Sequence, residues 1–256
     1  MRKKMSVLIL LTLVIAFMDI SGLPSAALFE ISFKDVDAFI FPLMINFLLI
    51  GIIAAVVFKI FSIELSLGLK KDGLKAGLKK YAWAGALAGI LSFIAFFIGL
   101  YPFDYKPTIW KIIFEGIIYY VGVGTVEELY VRGLFLNILE IFFGNRQNKT
   151  QLAIVISSIV FGLGHIPGMI GMGIFVVVFK VISTIGMGLY FGMIYKKTGN
   201  LWMPIIMHTF IDICALPYCF TTYRGYPDIS LGILVCIYVL LGGYSLYAIS
   251  SKVVEE

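Results

Sequence analysis

Charge is what this chain has least of. Only 14% of its 256 residues are Asp, Glu, Lys or Arg, and 61% are hydrophobic; soluble domains average about 25% charged residues. No stretch is long and polar enough to make a separate soluble domain. Histidine is scarcer still, with two in the whole chain. The three cysteines, Cys214, Cys219 and Cys236, show no metal-type spacing. They lie in or beside apolar runs and read as small buried hydrophobes. There is no internal or inverted repeat and no low-complexity segment. The net charge of +5 is not a nucleic-acid signal either, because the basic residues sit in short loops such as "LKKDGLKAGLKK". Lysines so placed set membrane topology and meet lipid headgroups.

What the chain does have is long apolar runs. A spanning helix needs about 20 mainly apolar residues. That measure predicts spans near 5–22, 38–61, 81–101, 109–135, 151–166, 172–195, 201–219 and 229–249. The expected fold is an all-α polytopic membrane bundle of about eight transmembrane helices. It forms one membrane-embedded domain over 1–256, with the chemistry in 109–219.

The N-terminal "MRKKMSVLILLTLVIAFMDISGLPSAA" has the charged and apolar regions of a signal peptide. Further spans follow it, so an uncleaved first helix is expected. Lys and Arg collect on the cytoplasmic side. By that rule "RKK", "LKKDGLKAGLKK", "GNRQNK" and "YKKTGN" fall inside. "FEISFKDVD", "YPFDYKPT", "HIPGM" and "TTYRGYPD" fall outside. Both termini are then cytoplasmic, in what is expected to be the plasma membrane. Residues 64–80 suit a helix lying along the cytoplasmic surface. The "NKT" at 148 fits a glycosylation sequon but falls inside.

Against this background "GTVEELYVRG", residues 124–133, is out of place. A carboxylate at mid-membrane costs about 2.5–3.5 kcal/mol on insertion scales, and here two are adjacent. Arg132 lies four residues beyond Glu128, so the two meet on one helical face. Glu127 points about 100° away, off the face that Arg132 shares with Glu128. The two histidines are intramembrane as well. His165 ends "IVFGLGH", and His208 sits in "LWMPIIMHTFID" with Asp212 on its face four residues on. Packing alone accounts poorly for that set; polarising a water molecule, with or without a metal, accounts for it better. Glu115, Asn137, Glu140 and Lys180 read as residues at helix ends or on a wet groove. The glycines of "GMGIF" and "GMGLYFGM" read as packing.

These residues resemble a known pattern. "EELYVR" is similar to the E-E-x-x-x-R signature of the CPBP family, the CAAX proteases and bacteriocin-processing enzymes also called Abi. "FGLGH" resembles its F-x-x-x-H element, with Phe161 and His165 as fixed points, and "HTFID" its H-x-x-x-N/D element. The three motifs stand in the family's order over 127–212. The resemblance implies an intramembrane endopeptidase, related to type II CAAX prenyl endopeptidases, with a polar cavity open toward the cytoplasm. It implies that Glu127 and His165 activate the attacking water and that His208 with Asp212 stabilises the oxyanion. Glu128 and Arg132 would support them. Prenyl proteases of this family commonly carry Asn at the position of Asp212. An ionised carboxylate cannot donate to an oxyanion, so Asp212 must be protonated, orient His208 through its other nitrogen, or ligate a metal.

Two versions of the chemistry stay open: a zinc held by His165, His208 and a carboxylate, candidates being Glu127 and Asp212, or no metal at all. The family name implies the first, the side chains suit either, and the metal-free version is slightly preferred. The expected partners are membrane lipid and a peptide or protein substrate at the membrane, such as a prenylated tail, a leader peptide or a membrane protein. Two rivals are a non-catalytic immunity or sensor-regulating partner on the same scaffold, and a proton-coupled transporter.

Overall fold

Lipid offers the backbone no hydrogen bonds, so a chain this apolar must satisfy its amides within helices. The computed structural model describes residues 6–14, 33–60 and 67–250, and helices fill nearly all of them. Among the described residues there is no strand, only an isolated bridge between Phe33 and Val36. Helix α1 covers 6–14. It is followed by α2 (Ile40–Ile60) and α3 (Leu74–Leu100). Next come α4 (Ile109–Phe143), α5 (Lys149–Leu163) and α6 (Ile174–Thr198). Helices α7 (Trp202–Ile213) and α8 (Asp228–Ser250) complete the order. A 3-10 turn, Leu216–Phe220, extends α7.

Six of the expected spans are helices long and apolar enough to cross a bilayer: α3, α4, α5, α6, α7 with its extension, and α8. The expected span 5–22 lies largely outside the described residues. The expected span 38–61 is the helix α2, Ile40–Ile60, which is not among those six. The surface helix expected over 64–80 is not a separate element. Residues 74–80 are the first turns of α3, continuous with the span, so Lys75, Lys79 and Lys80 ring its end, as snorkelling lysines do.

Helix α6 is central, packing against α5, α7, α8 and α3. Its residues from Gly186 to Tyr195 are all buried. Between helices in lipid the hydrophobic drive is weak, and close packing of small residues takes its place. Gly186 does this against α8, where a Cβ would overlap the Tyr238 carbonyl. The glycines of "GMGIF" do not, for a Cβ on Gly171 or Gly173 would meet nothing. Leu48, Trp83, Ile90, Phe175 and Leu240 are exposed on the outside of the bundle, as a lipid-facing surface requires. Of the cysteines, Cys214 and Cys219 are buried as expected, but Cys236 is exposed on α8.

The connecting loops meet at two opposite ends. At one, Asn200 donates to the carbonyls of Lys70 (2.7 Å) and Asp72 (3.2 Å), and the Leu201 amide donates to Gly68 (3.0 Å). Lys196 pairs there with Glu140 at 2.5 Å and donates to Asn137. At the other, Asp104 accepts from Thr222 (2.9 and 2.6 Å), and the Tyr105 amide donates to Phe220 (3.1 Å). Asp35 accepts from the Thr108 amide and the Tyr105 hydroxyl, both at 2.8 Å, and from the Thr108 hydroxyl. Thr108 also caps α4, its hydroxyl accepting the Lys111 amide at 3.3 Å. Glu115 lies near this end, holding Lys111 at 2.8 Å and the Asp37 amide at 2.6 Å. Glu115, Asn137 and Glu140 are thus structural ties near the helix ends.

Candidate active site

The site begins in α4, which is not a uniform α-helix. Two π-helical segments, Phe114–Ile118 and Leu129–Leu136, interrupt it, and the second starts directly after Glu128. Such wider turns are frequent at functional sites. Glu128 and Arg132 are both fully buried, a placement tolerated only if the charges are paired. Arg132 Nη1 donates to Glu128 Oε1 at 2.8 Å, the pair expected from their spacing. Arg132 Nη2 reaches the Gly188 carbonyl on α6 at 3.2 Å. The guanidinium also lies over the rings of Phe161 (4.5 Å) and Phe191 (5.3 Å), cation–π contacts that strengthen in a dry interior.

The spacing did not reveal that Glu128 serves two partners. Its Oε1 also accepts from His208 Nδ1 at 2.8 Å, across from α4 to α7. A carboxylate only accepts, so Nδ1 is the donor and Nε2 is turned to the other side. There it meets Asp212 Oδ2 at 3.4 Å and Glu127 Oε2 at 3.7 Å. Of the roles open to Asp212, orienting His208 through its other nitrogen is therefore taken by Glu128; Asp212 and Glu127 flank the same nitrogen. Phe191 stacks on the His208 ring at 4.7 Å and 25°, and Phe161 meets it edge-on at 5.9 Å. No sequence signal marked Phe191, one aromatic among many in α6.

Helices α4 and α7 come this close because Gly124 has no side chain. A Cβ there would lie 2.5 Å from Thr209 Oγ1 and 2.9 Å from the Thr209 amide nitrogen. Gly124 is one turn before Glu127, and Thr209 is next to His208, so the contact sets the distance between those two side chains.

His165 stands just beyond α5. Its Nδ1 donates to the Phe161 carbonyl at 2.9 Å, and its ring packs edge-on to Phe161 at 5.0 Å. Glu127, His165 and Asp212 line one cavity of about 510 Å³. Lys180, on α6, lines it too, 5.5 Å from the Tyr226 ring. The four residues expected to carry the chemistry thus gather at one place: three on the cavity wall, and His208 behind them against Glu127 and Asp212.

A zinc site is another matter. Among the described residues no three of His, Cys, Asp and Glu are grouped so as to hold a metal ion. One nitrogen of His208 donates to Glu128 and one of His165 to a backbone carbonyl, which leaves the other nitrogen of each ring open. The side chains expected to hold zinc do not converge on one point among the described residues.

Residues 108–214 match the family model of the Rce1-like proteins, described as type II CAAX prenyl endopeptidase Rce1-like. No curated protein and no solved structure matches the chain. The matched stretch runs from the cap of α4 to the end of α7 and contains all three motifs.

Proposed function

We propose that this chain, on the premise that residues 108–214 carry the pattern of that protease family, is an intramembrane endopeptidase. It hydrolyses a peptide bond of a membrane-associated substrate with water activated by Glu127 and His165. Glu127 takes a proton from the water, and the hydroxide adds to the scissile carbonyl carbon. The oxyanion so formed is met by His208. As an imidazolium it donates through both nitrogens, Nδ1 to Glu128 and Nε2 into the site. Collapse of the adduct breaks the C–N bond, and the proton held by Glu127 passes to the leaving amine. Asp212, and Glu127 until it takes the proton, balance the imidazolium, while Glu128, Arg132 and Phe161 hold its ring in place.

One observation supports this above the others: Glu127 and Asp212 flank His208 Nε2 at 3.7 and 3.4 Å while lining the same cavity as His165. The experiment compares membrane and released peptides by mass spectrometry in cells carrying the wild type or Glu127→Gln. An uncut precursor should accumulate with the variant. Identical peptide profiles, with the variant performing the biological role in full, would instead favour the non-catalytic partner.

A further inference from the structure

The loops that line the cavity all belong to one end of the bundle. Its lining includes Gly168, Met169 and Met172 from the α5–α6 connection, and Arg224, Gly225 and Tyr226 from the α7–α8 connection. Gly168 and Arg224 are exposed and mark the mouth. That mouth belongs to the end where Asp35 and Asp104 tie the loops together, since Tyr226 and Arg224 follow directly on the Thr222 contact with Asp104.

The two ends differ in charge. The segments "LKKDGLKAGLKK", "GNRQNK" and "YKKTGN" gather at the far end, and together hold nine lysines and arginines against one aspartate. At the mouth end, "FKDVD", "YPFDYKPT", "HIPGM" and "TTYRGYPD" hold three against four. Lysines and arginines in short loops are retained on the cytoplasmic side during insertion. The asymmetry is large, the loops are short, and the hydrogen bonds above group them at the two ends independently of charge.

We infer that the mouth of the cavity faces away from the cytoplasm. Resting on the protease reading above, this narrows the substrate to a peptide segment presented on the extracytoplasmic side, part of an exported or membrane-anchored protein. A tail held at the cytoplasmic leaflet would meet the lysine-rich end, whose loops contribute no residue to the cavity lining. The orientation is opposite to the one the family resemblance implies.

Single cysteines test it in a full-length chain whose three native cysteines are replaced by alanine. Gly168→Cys and Arg224→Cys probe the mouth, and Lys71→Cys and Gln147→Cys the far end; all four positions are exposed, and a side chain at 168 meets nothing within 4 Å. Intact cells are treated with a membrane-impermeant sulfonated maleimide, then permeabilised and treated again. The expected result is labelling of 168 and 224 in intact cells, and of 71 and 147 only after permeabilisation. The reverse pattern, or partial labelling of all four from outside, overturns the inference. A second readout uses the unsubstituted chain, in which α8 runs from the mouth end to the far end: a fluorescent protein fused at the C-terminus should fluoresce and an alkaline phosphatase there should stay inactive, and the opposite overturns the inference. Neither measurement depends on catalysis. Outward labelling together with an inert Glu127→Gln comparison would sink the protease reading and leave the orientation standing.

Discussion

Glu128 is the residue on which the site's geometry depends, although Glu127 is the one proposed to act on water. It joins Arg132 to His208 inside the bundle, with no solvent to replace either contact. Glu128→Ala leaves a buried arginine without its carboxylate, a loss that costs about 3–5 kcal/mol in comparable buried pairs. The expected outcome is a clear fall in the thermal midpoint of the detergent-solubilised protein together with loss of cleavage. Glu127→Gln should lose cleavage with little change in midpoint. The spacing of Glu128 and Arg132 made their pair legible in the sequence, because four residues along a helix is a local relation. The bond from Glu128 to His208 spans 80 residues and was not legible, since only the crossing of α4 and α7 creates it. Because no three donors converge, cleavage by the purified protein should continue undiminished after exhaustive chelation. Loss of rate restored by zinc would show that His165, His208 and a carboxylate draw together around an ion.

Among the helices, α4 and α7 form the pair whose separation matters most. Gly124→Ala places a methyl group against Thr209 backbone, which cannot move aside as a flexible side chain could. The helices must part by a fraction of an ångström to about one, and Glu127 and His208 part with them. Misplacement of that size costs up to about a hundredfold in rate. We expect kcat to fall by about 10–100-fold with KM and helix content little changed, measured by steady-state cleavage and circular dichroism. The helices themselves were largely legible, because apolar runs of bilayer length have few alternatives. Their ends were less so. Lysines at 75, 79 and 80 read as a surface helix, yet they belong to the span, because long lysine stems let a helix continue past the apolar layer. The π segments of α4 were not legible, since nothing in their composition separates them from ordinary apolar helix.

For the molecule as a whole, the mouth end is held by two aspartate clamps outside the spans. Burial acts to raise the Asp35 carboxyl, but hydrogen bonds from Thr108 and Tyr105 outweigh it and hold it at about 2. The Thr222 hydroxyl and amide hold Asp104 below its ordinary value as well. A carboxyl depressed by folding adds stability that is present above its unfolded value, about 3.9, and is lost as the pH falls through its folded value. The thermal midpoint should therefore hold steady down to about pH 4 and drop between there and about pH 2. Asp35→Asn should start lower at neutral pH and drop less steeply, as a pH series of melting curves would show. The distribution of charge between the ends was legible in the sequence. That the cavity opens at the lysine-poor end was not, because it depends on which loops the helices carry to its rim.

The wide turn from Leu129 to Leu136 also limits which changes of chain length α4 can accept. Taking out one residue there would let the helix wind normally without losing a backbone hydrogen bond, yet everything beyond it would swing by about 100°. Either Glu127 would leave the cavity, or Asn137 and Glu140 would leave Lys196. Conservative exchanges within the turn should be tolerated far better than any shortening of it, so the number of residues between Glu127 and Asn137 is as binding a requirement as their identities.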